Sequence, residues 1–294
     1  MAGAVTDAHR VTYRENVTLA IQEKKDQFGD TFSYLDGVAG KEMRVTDIIG
    51  KIEARIDAPE GGDTPDLEGT HEPVWVRPRR IDWGKLIKKE DQIKALTDYK
   101  GEYTQAGVNG YYRAKNMLLA SALFGPRLIG NEVPVSTAWA GRTVAVDYGS
   151  TGTPNRMSVA KLLKALENFQ QDDMEVEDEM ISIVMDPQQN RELYEDITFT
   201  SKDYRDKAVI ENKQVRDILG MPIFISKRVG LYDVSTLQAA IYAKSGMHWG
   251  PATPMDIKSA PNPSKQFREH VYLEHWLAAT RSEDAKVQKI LSKK

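Results

Sequence analysis

Six of the eight residues from Asp172 to Glu179 are acidic: Asp172, Asp173, Glu175, Glu177, Asp178 and Glu179. Carboxylates at that density can hold a hard cation or dock on a basic surface. The run lacks the ligand spacing and turn glycine of an EF-hand loop, so a solvated loop between a helix and a strand is the simpler reading. A basic counterpart lies on the same chain, where Arg77, Arg79, Arg80, Lys85, Lys88 and Lys89 cluster around Trp75 and Trp83. The planar fork of arginine matches carboxylate and phosphate alike. In a chain of formal net charge -3, ion pairing to another subunit is favoured over direct nucleic-acid contact. The candidate subunit-contact residues are therefore Trp75, Arg77, Arg79, Arg80, Trp83, Asp172, Asp173 and Glu175.

Other candidate chemistry falls away on spacing. The five histidines are His9, His71, His248, His270 and His275. His270 and His275 lie five apart in a predicted strand, which puts them on opposite faces and forbids a shared metal. Gly149-Ser150-Thr151-Gly152-Thr153 lacks the Gly-Lys-Ser/Thr ending of a phosphate loop and does not join a strand to a helix. There is no Gly-x-Ser-x-Gly elbow, no HExxH and no dinucleotide fingerprint. The chain has no cysteine, which removes disulfides, thiolate metal sites and cysteine nucleophiles. No catalytic residue, cofactor or metal is expected.

The elements that must position these residues come from periodicity. The chain has 294 residues, 40% of them hydrophobic, enough for two domains or one elaborate one. It lacks the apolar core of a signal peptide and any run of about 18 apolar residues, so a soluble, non-secreted protein with no membrane partner is expected. Residues 1 to about 35 read as a polar arm with a weak helix from Val11 to Lys25, too poor in apolar residues to form its own core. Lys41 to Asp57 and Val74 to Trp83 read as two extended segments joined by a polar tip, with Pro78 confining the second to an edge or to a place without a ladder partner. An isolated two-stranded ribbon is marginal in water, so this hairpin is expected to pack on another chain. Trp83 to Leu96 is predicted to be a short helix.

Glu102 to Phe124 repeats Tyr103, Gly107, Gly110, Tyr111, Ala114, Met117, Leu118, Ser121 and Ala122 at helical steps, with Glu102, Gln105, Asn109, Arg113 and Asn116 opposite. This predicts a helix about 33 Å long, stopped by Gly125-Pro126. Its packing residues are expected to be Gly107, Gly110, Tyr111, Ala114 and Leu118, small enough in part for a close neighbour. Gly110→Leu is then expected to block folding or assembly and Gln105→Ala to be mild. Gly125 to Pro154 reads as a glycine-rich, weakly β excursion. Residues 155 to about 228 alternate helix and strand: a helix after Ser158, a buried strand from Met180 to Met185, a helix opened by Asp186-Pro187, and a second buried strand from Met221 to Ser226. Strands return at Leu237 to Ala243, Met255 to Ser259, Phe267 to Thr280 and Val287 to Leu291.

This order (polar arm, long hairpin, long helix, α/β subdomain, returning strands) resembles the major capsid proteins of tailed bacteriophages, an α+β fold shared with encapsulin shells. The likeness extends to Gly62-Asp63-Thr64-Pro65, to Arg79-Arg80 with Trp83, and to Asp98 to Tyr103 running into a helix that ends Ala122-Leu123-Phe124-Gly125. It includes Ile241 to His248 and Ala279-Thr280-Arg281 near the C-terminus. The resemblance implies an N-terminal arm at 1–38, an E-loop hairpin at 39–84 and a peripheral domain at 85–154 containing the spine helix 102–124. It implies an axial domain at 155–235, and a return to peripheral and axial strands at 236–294.

It also implies a structural role: self-assembly as pentamers and hexamers into an icosahedral head enclosing double-stranded DNA held by non-specific contact. Scaffold, portal and decoration proteins are the further partners it implies, with assembly in the host cytoplasm and residence in the virion. An encapsulin-type shell with protein cargo is the structural alternative, and an α/β enzyme built on 155–228 the alternative from another class. Some relatives cross-link a loop lysine to a peripheral asparagine. Residues 52–84 contain no lysine, so no covalent cross-linking is expected here.

Overall fold

The computed structural model describes residues 25–52, 69–87, 99–150, 152–196 and 217–294, with the backbone alone at 87, 99–103 and 217. In chain order the strands are β1 (Ser33–Tyr34), β2 (Met43–Ile49), β3 (His71–Val76), β4 (Arg79–Ile87), β5 (Arg127–Ile129), β6 (Val135–Thr137), β7 (Thr143–Val144) and β8 (Ile181–Met185). They continue with β9 (Asp217–Ile218), β10 (Met221–Ile225), β11 (Thr236–Ala243), β12 (Met247–Pro251), β13 (Asp256–Asn262), β14 (Arg268–Arg281) and β15 (Val287–Lys293). The helices are α1 (Tyr99–Phe124), α2 (Val159–Gln171) and α3 (Pro187–Glu195). The expected helix at Val11 to Lys25 and the segments Gly62 to Pro65 and Lys88 to Asp98 lie outside the described residues.

The chain divides into two units, and both α1 and β14 run from one into the other. The larger comprises Gln27–Arg79, Asn116–Ala252 and Leu277–Lys294. Its main sheet has the strand order β7-β15-β11-β8-β10-β9, with β8 parallel to β10 and antiparallel to β11. Every residue of β8 is buried. The reason is that both faces are covered. Ile183 and Ile241 join α2 residues Leu162, Ala165 and Phe169 on one side. On the other, Val184, Ala240 and Tyr242 join Phe28, Phe32, Leu119 and Leu123. A strand covered twice reads as a continuous apolar run, as MISIVM does. The sheet that holds β8 and β10 is completed by β11, β15 and β7, so the α/β layer draws on strands from well outside 155–235.

Local signals fix the joints. Asp186 caps α3 through a reciprocal capping box with Gln189, and Pro187 occupies the first turn. Ser158 is the N-cap residue of α2 but makes no side-chain cap bond. Leu219 and Gly220 both have positive φ, 53° and 78°, as a two-residue hairpin between β9 and β10 requires. A second, antiparallel sheet of the larger unit has the order β2-β3-β5-β6.

The smaller unit comprises Met1–Asp26, Arg80–Lys115 and Thr253–Trp276. Here β13 pairs antiparallel with β14 from Asp256↔Glu274 to Asn262↔Arg268, and β4 pairs with β14 as well. The segment Val74 to Trp83 is therefore not one strand. It breaks at Arg77-Pro78, β3 serving the sheet with β2 and β4 that with β14. Pro78 offers no N–H to continue a ladder, which is where the chain changes sheets. Trp83 to Ile87, predicted helical, is strand. The strand Met247–Pro251 was not foreseen, because its glycine and proline weaken the β pattern.

The buried face of α1 differs from the predicted stripe. Gly107, Asn109, Tyr111, Lys115, Asn116, Leu119, Ala120 and Leu123 are buried, whereas Met117 and Ser121 face solvent. Polarity misled because two of the polar members find partners from the chain before α1: Asn116 Oδ1 accepts from the Gln27 backbone N–H at 3.1 Å, and Lys115 pairs with Asp26. Asn109 Nδ2 stays buried without a partner among the described residues. In the smaller unit the close approach is at Gly107, where an added Cβ would lie 2.5 Å from Trp83 Cε3. At Gly110 it would meet only the Arg113 guanidinium at 3.5 Å, so Gly110 is not the tight position that the spacing suggested. Ala114 is half-buried, and Leu118 packs at the margin of the core formed by Leu119 and Leu123.

In the larger unit the C-terminal end of α1 is closed by Arg281, whose side chain is fully buried. Its Nη1 donates to the carbonyls of Ala122, Leu123 and Gly125 at 3.1, 2.8 and 3.1 Å, and its Nε to Asp284 at 2.5 Å. Burial lowers the Arg281 pKa from its usual value, against the pull of Asp284.

Three outcomes follow from this packing. Gly107→Ala should destabilise by about 1–3 kcal/mol through the clash with Trp83. Gly110→Ala should be neutral or stabilising by up to about 1 kcal/mol, since alanine is the better helix former; denaturant melts of the two variants check the contrast. Arg281→Met should cost about 3–5 kcal/mol by stranding Asp284 and three buried carbonyls, read by the same melts.

Candidate functional site

The acidic run lies in the turn between α2 and β8, as the solvated-loop reading expects, with Asp173, Glu175, Glu177 and Asp178 exposed, and part of it is ion-paired. Asp172 forms a forked pair with Arg142, Nε to the two carboxylate oxygens at 3.0 and 2.9 Å and Nη2 to Oδ1 at 2.6 Å. Asp173, held at a left-handed φ of 59°, pairs with Lys51. That hydrogen bond, with the lysine charge, holds the Asp173 carboxyl below the usual carboxylate range. Glu179 accepts from Ser245 Oγ at 2.6 Å. Asp172, Asp173, Glu175, Asp178, Glu179 and Glu283 line an open cleft of about 460 Å³ with Lys51 and Lys286. Among the described residues no group of three or more histidines and carboxylates is placed to hold a metal ion. The arrangement is that of an acidic, ion-paired surface. Such exposed pairs are screened by water and salt, so their use lies in orientation and partner choice more than in stability.

The basic candidates are separated by the break at Pro78. In the larger unit Arg77 Nε reaches Glu42 at 2.6 Å, Arg79 is exposed, and Trp75 Nε1 donates to the Gly130 carbonyl at 2.7 Å. In the smaller unit Arg80 bonds the Tyr272 hydroxyl and lies 3.2 Å from Asp82 and 3.3 Å from Glu274. Trp83 packs its ring on Gly107. Lys88 and Lys89 lie outside the described residues. Each candidate with a described partner thus has a role inside its own chain, which spacing alone could not reveal.

The histidines serve local structure. His71 Nδ1 lies 3.3 Å from Asp47. His270 sits against Gly84, whose added Cβ would fall 2.9 Å from its Nε2. Burial and the neighbouring Lys286 charge lower the His248 pKa from its usual value. His275 bonds the Tyr111 hydroxyl at 2.7 Å; His9 is outside the described residues. In the Gly149 to Thr153 turn, Ser150 Oγ bonds the Thr153 carbonyl at 2.6 Å instead of offering a phosphate cradle.

Sequence reasoning missed Lys161, which lies among the apolar residues of α2 and is fully buried. Its Nζ donates to the backbone carbonyls of Val146, Asn155 and Leu291 at 2.9, 3.1 and 2.9 Å. Burial lowers its pKa to about 8, opposed by Glu192 and Asp147. A lone lysine on an apolar helical face was the available signal.

Among the described residues the cleft lined by Asp172, Asp173, Glu175 and Lys286 carries charge without a nucleophile held by a base and an orienting partner. The comparisons agree with such a chain. A family model described as "Phage capsid protein" matches residues 5–294. Among solved structures, the capsid of the cyanophage P-SCSP1u superposes with a TM-score of 0.72 at 11% identity, covering 93% of this chain and 90% of that one. A chain of Mycobacterium phage Che8 gives 0.69 at 12% identity, covering 94% of each. The capsid of Ralstonia phage GP4 gives 0.66 at 13% identity, covering 95% and 94%. No curated protein matches the sequence significantly. The α+β architecture is that of the phage capsid fold, and the chain belongs to the phage capsid protein family.

Proposed function

We propose that this protein is the major capsid protein of a tailed phage and assembles as pentamers and hexamers into an icosahedral shell around double-stranded DNA. The observation that carries the reading is the family match over residues 5–294. The role is structural and not enzymatic, and the protein resides in the virion after assembly in the host cytoplasm. In this reading 1–38 is the arm, 39–84 the E-loop, 85–154 the peripheral domain, 155–235 the axial domain and 236–294 the returning strands.

Physical features support it. The hairpin does not stand alone, since β3 also pairs with β5, but Ile49 at the end of β2 and Ile52 beyond it are more than half exposed, a cost that a neighbouring subunit would remove. The ion pairs at Arg77, Arg80, Asp172 and Asp173 hold their side chains in fixed directions, so that Trp75, Arg79, Trp83 and Glu175 beside them can meet a neighbour with little further loss of freedom. Contacts of this kind are weak singly and accumulate over many copies. DNA inside is held by diffuse positive charge, with scaffold, portal and decoration proteins as further partners.

Electron microscopy of the purified protein, alone and co-expressed with a neighbouring scaffold gene, should show shells, capsomers or tubes. Particles from infected cells should protect DNA from nuclease and run as a single uncross-linked band on a denaturing gel. A permanently monomeric protein would overturn the shell reading. Protein cargo in place of DNA would turn it into an encapsulin, and a covalent ladder would show cross-linking.

A further inference from the structure

Within the smaller unit, α1 is held differently from its continuation. The three apolar clusters among the described residues draw nothing from 80–115 or 253–276. Gly107 touches Trp83, Lys115 pairs with Asp26, and Tyr111 bonds His275 on β14. Tyr111, Lys115 and His275 are each less than a tenth exposed. The Tyr111 and His275 rings lie 5.4 Å apart between centroids and are tilted by 38°, so the contact joins helix to strand by ring packing as well as by the hydrogen bond.

The charges around His275 make its protonation state matter. From α1 it faces Tyr111 and the Lys115 ammonium, which is neutralised in part by Asp26 from the chain before Phe28. From the other side the ring bonds the Thr253 backbone. On its own strand Glu274 is already engaged by Arg80, Tyr272 and the Trp276 indole. No free carboxylate among these groups is placed to compensate a second cation, and burial together with Lys115 lowers the His275 pKa.

We propose that His275 is an acid-sensitive latch: neutral, it fastens residues 104–115 of α1 to β14, and protonated beside Lys115 it releases them. The sign follows from linkage. The unfolded or released form takes up the proton near the ordinary histidine value of about 6.5, while the latched form takes it up at lower pH. The latch is therefore fully closed above that value and loosens as the pH falls. Because Leu119 and Leu123 are fixed in an apolar core, loosening is confined to the polar stretch.

Amide hydrogen exchange of the full-length protein, followed by mass spectrometry across a pH series, tests this. Relative to His275→Gln, which keeps an acceptor for Tyr111 and a donor for Thr253 but cannot titrate, the wild type should lose protection at 104–115 and 268–276. The loss should begin near the ordinary histidine value of about 6.5, approach about tenfold per pH unit below it, and stop at the lower point where the latched form itself takes up the proton. Lys115→Met should move that lower point to higher pH, and so reduce the total loss, by removing the neighbouring cation. Parallel loss of protection in wild type and His275→Gln, or an unchanged point in Lys115→Met, would overturn the proposal. If His275→Gln does not fold, the direction of the Lys115→Met shift decides by itself.

Discussion

A helix that ends inside a protein leaves carbonyls that water cannot reach, and the larger unit depends on how Arg281 answers that problem. One buried guanidinium takes three carbonyls from the last turn of α1 and hands its remaining charge to Asp284. Cations are favoured at a helix C-terminus, and a buried one is tolerable only with this degree of pairing. The same carboxylate draws in Arg127, which donates to the Ser282 carbonyl and reaches Glu72 on β3 at 2.7 Å. The end of α1, the turn after β14 and the ribbon of β2 and β3 are thus registered to one another by a single charge network. Stretches far apart in sequence, Ala122 to Gly125 and Ala279 to Arg281, are the two sides of that contact.

Lys161 plays the corresponding part on the opposite face of the main sheet. It gathers carbonyls from the 143–155 excursion and from β15, closing a loop that has little apolar surface of its own. Both devices use a buried cation where a capsid chain must hold long, irregular segments against a sheet. In both, the cation is taken up by main-chain carbonyls and, at Arg281, by the Asp284 carboxylate, while Arg281 Nη2 stays buried without a hydrogen-bond partner among the described residues.

The surface follows another rule. Charged residues that spacing marks as contacts are mostly paired within the chain: Asp172 with Arg142, Asp173 with Lys51, Arg77 with Glu42. For a shell protein this is useful, because prepaired side chains keep their rotamers and a neighbour can join the network without ordering it afresh. It also keeps the unassembled chain from offering large bare patches of one sign, which would promote association in the wrong register.

Much of the architecture was written in the sequence. The continuous apolar run at 181–185, the Asp186-Pro187 start and the 3.6-residue repeat before Gly125-Pro126 are local signals, and local signals report secondary structure because backbone sterics and capping act within a few residues. Membership in the phage capsid family was legible as an ordered set of such segments. Tertiary structure alone decided which polar residues are inside: Lys115, Asn116, Lys161 and Arg281 are buried where carbonyls, an amide and carboxylates from distant parts of the chain bond to them. It also decided that Gly107 and not Gly110 receives a neighbour, since Trp83 arrives there on a strand that sequence read as a helix. Burial of a polar group is a property of its partner, and partners come from pairing across the chain, which no periodicity encodes.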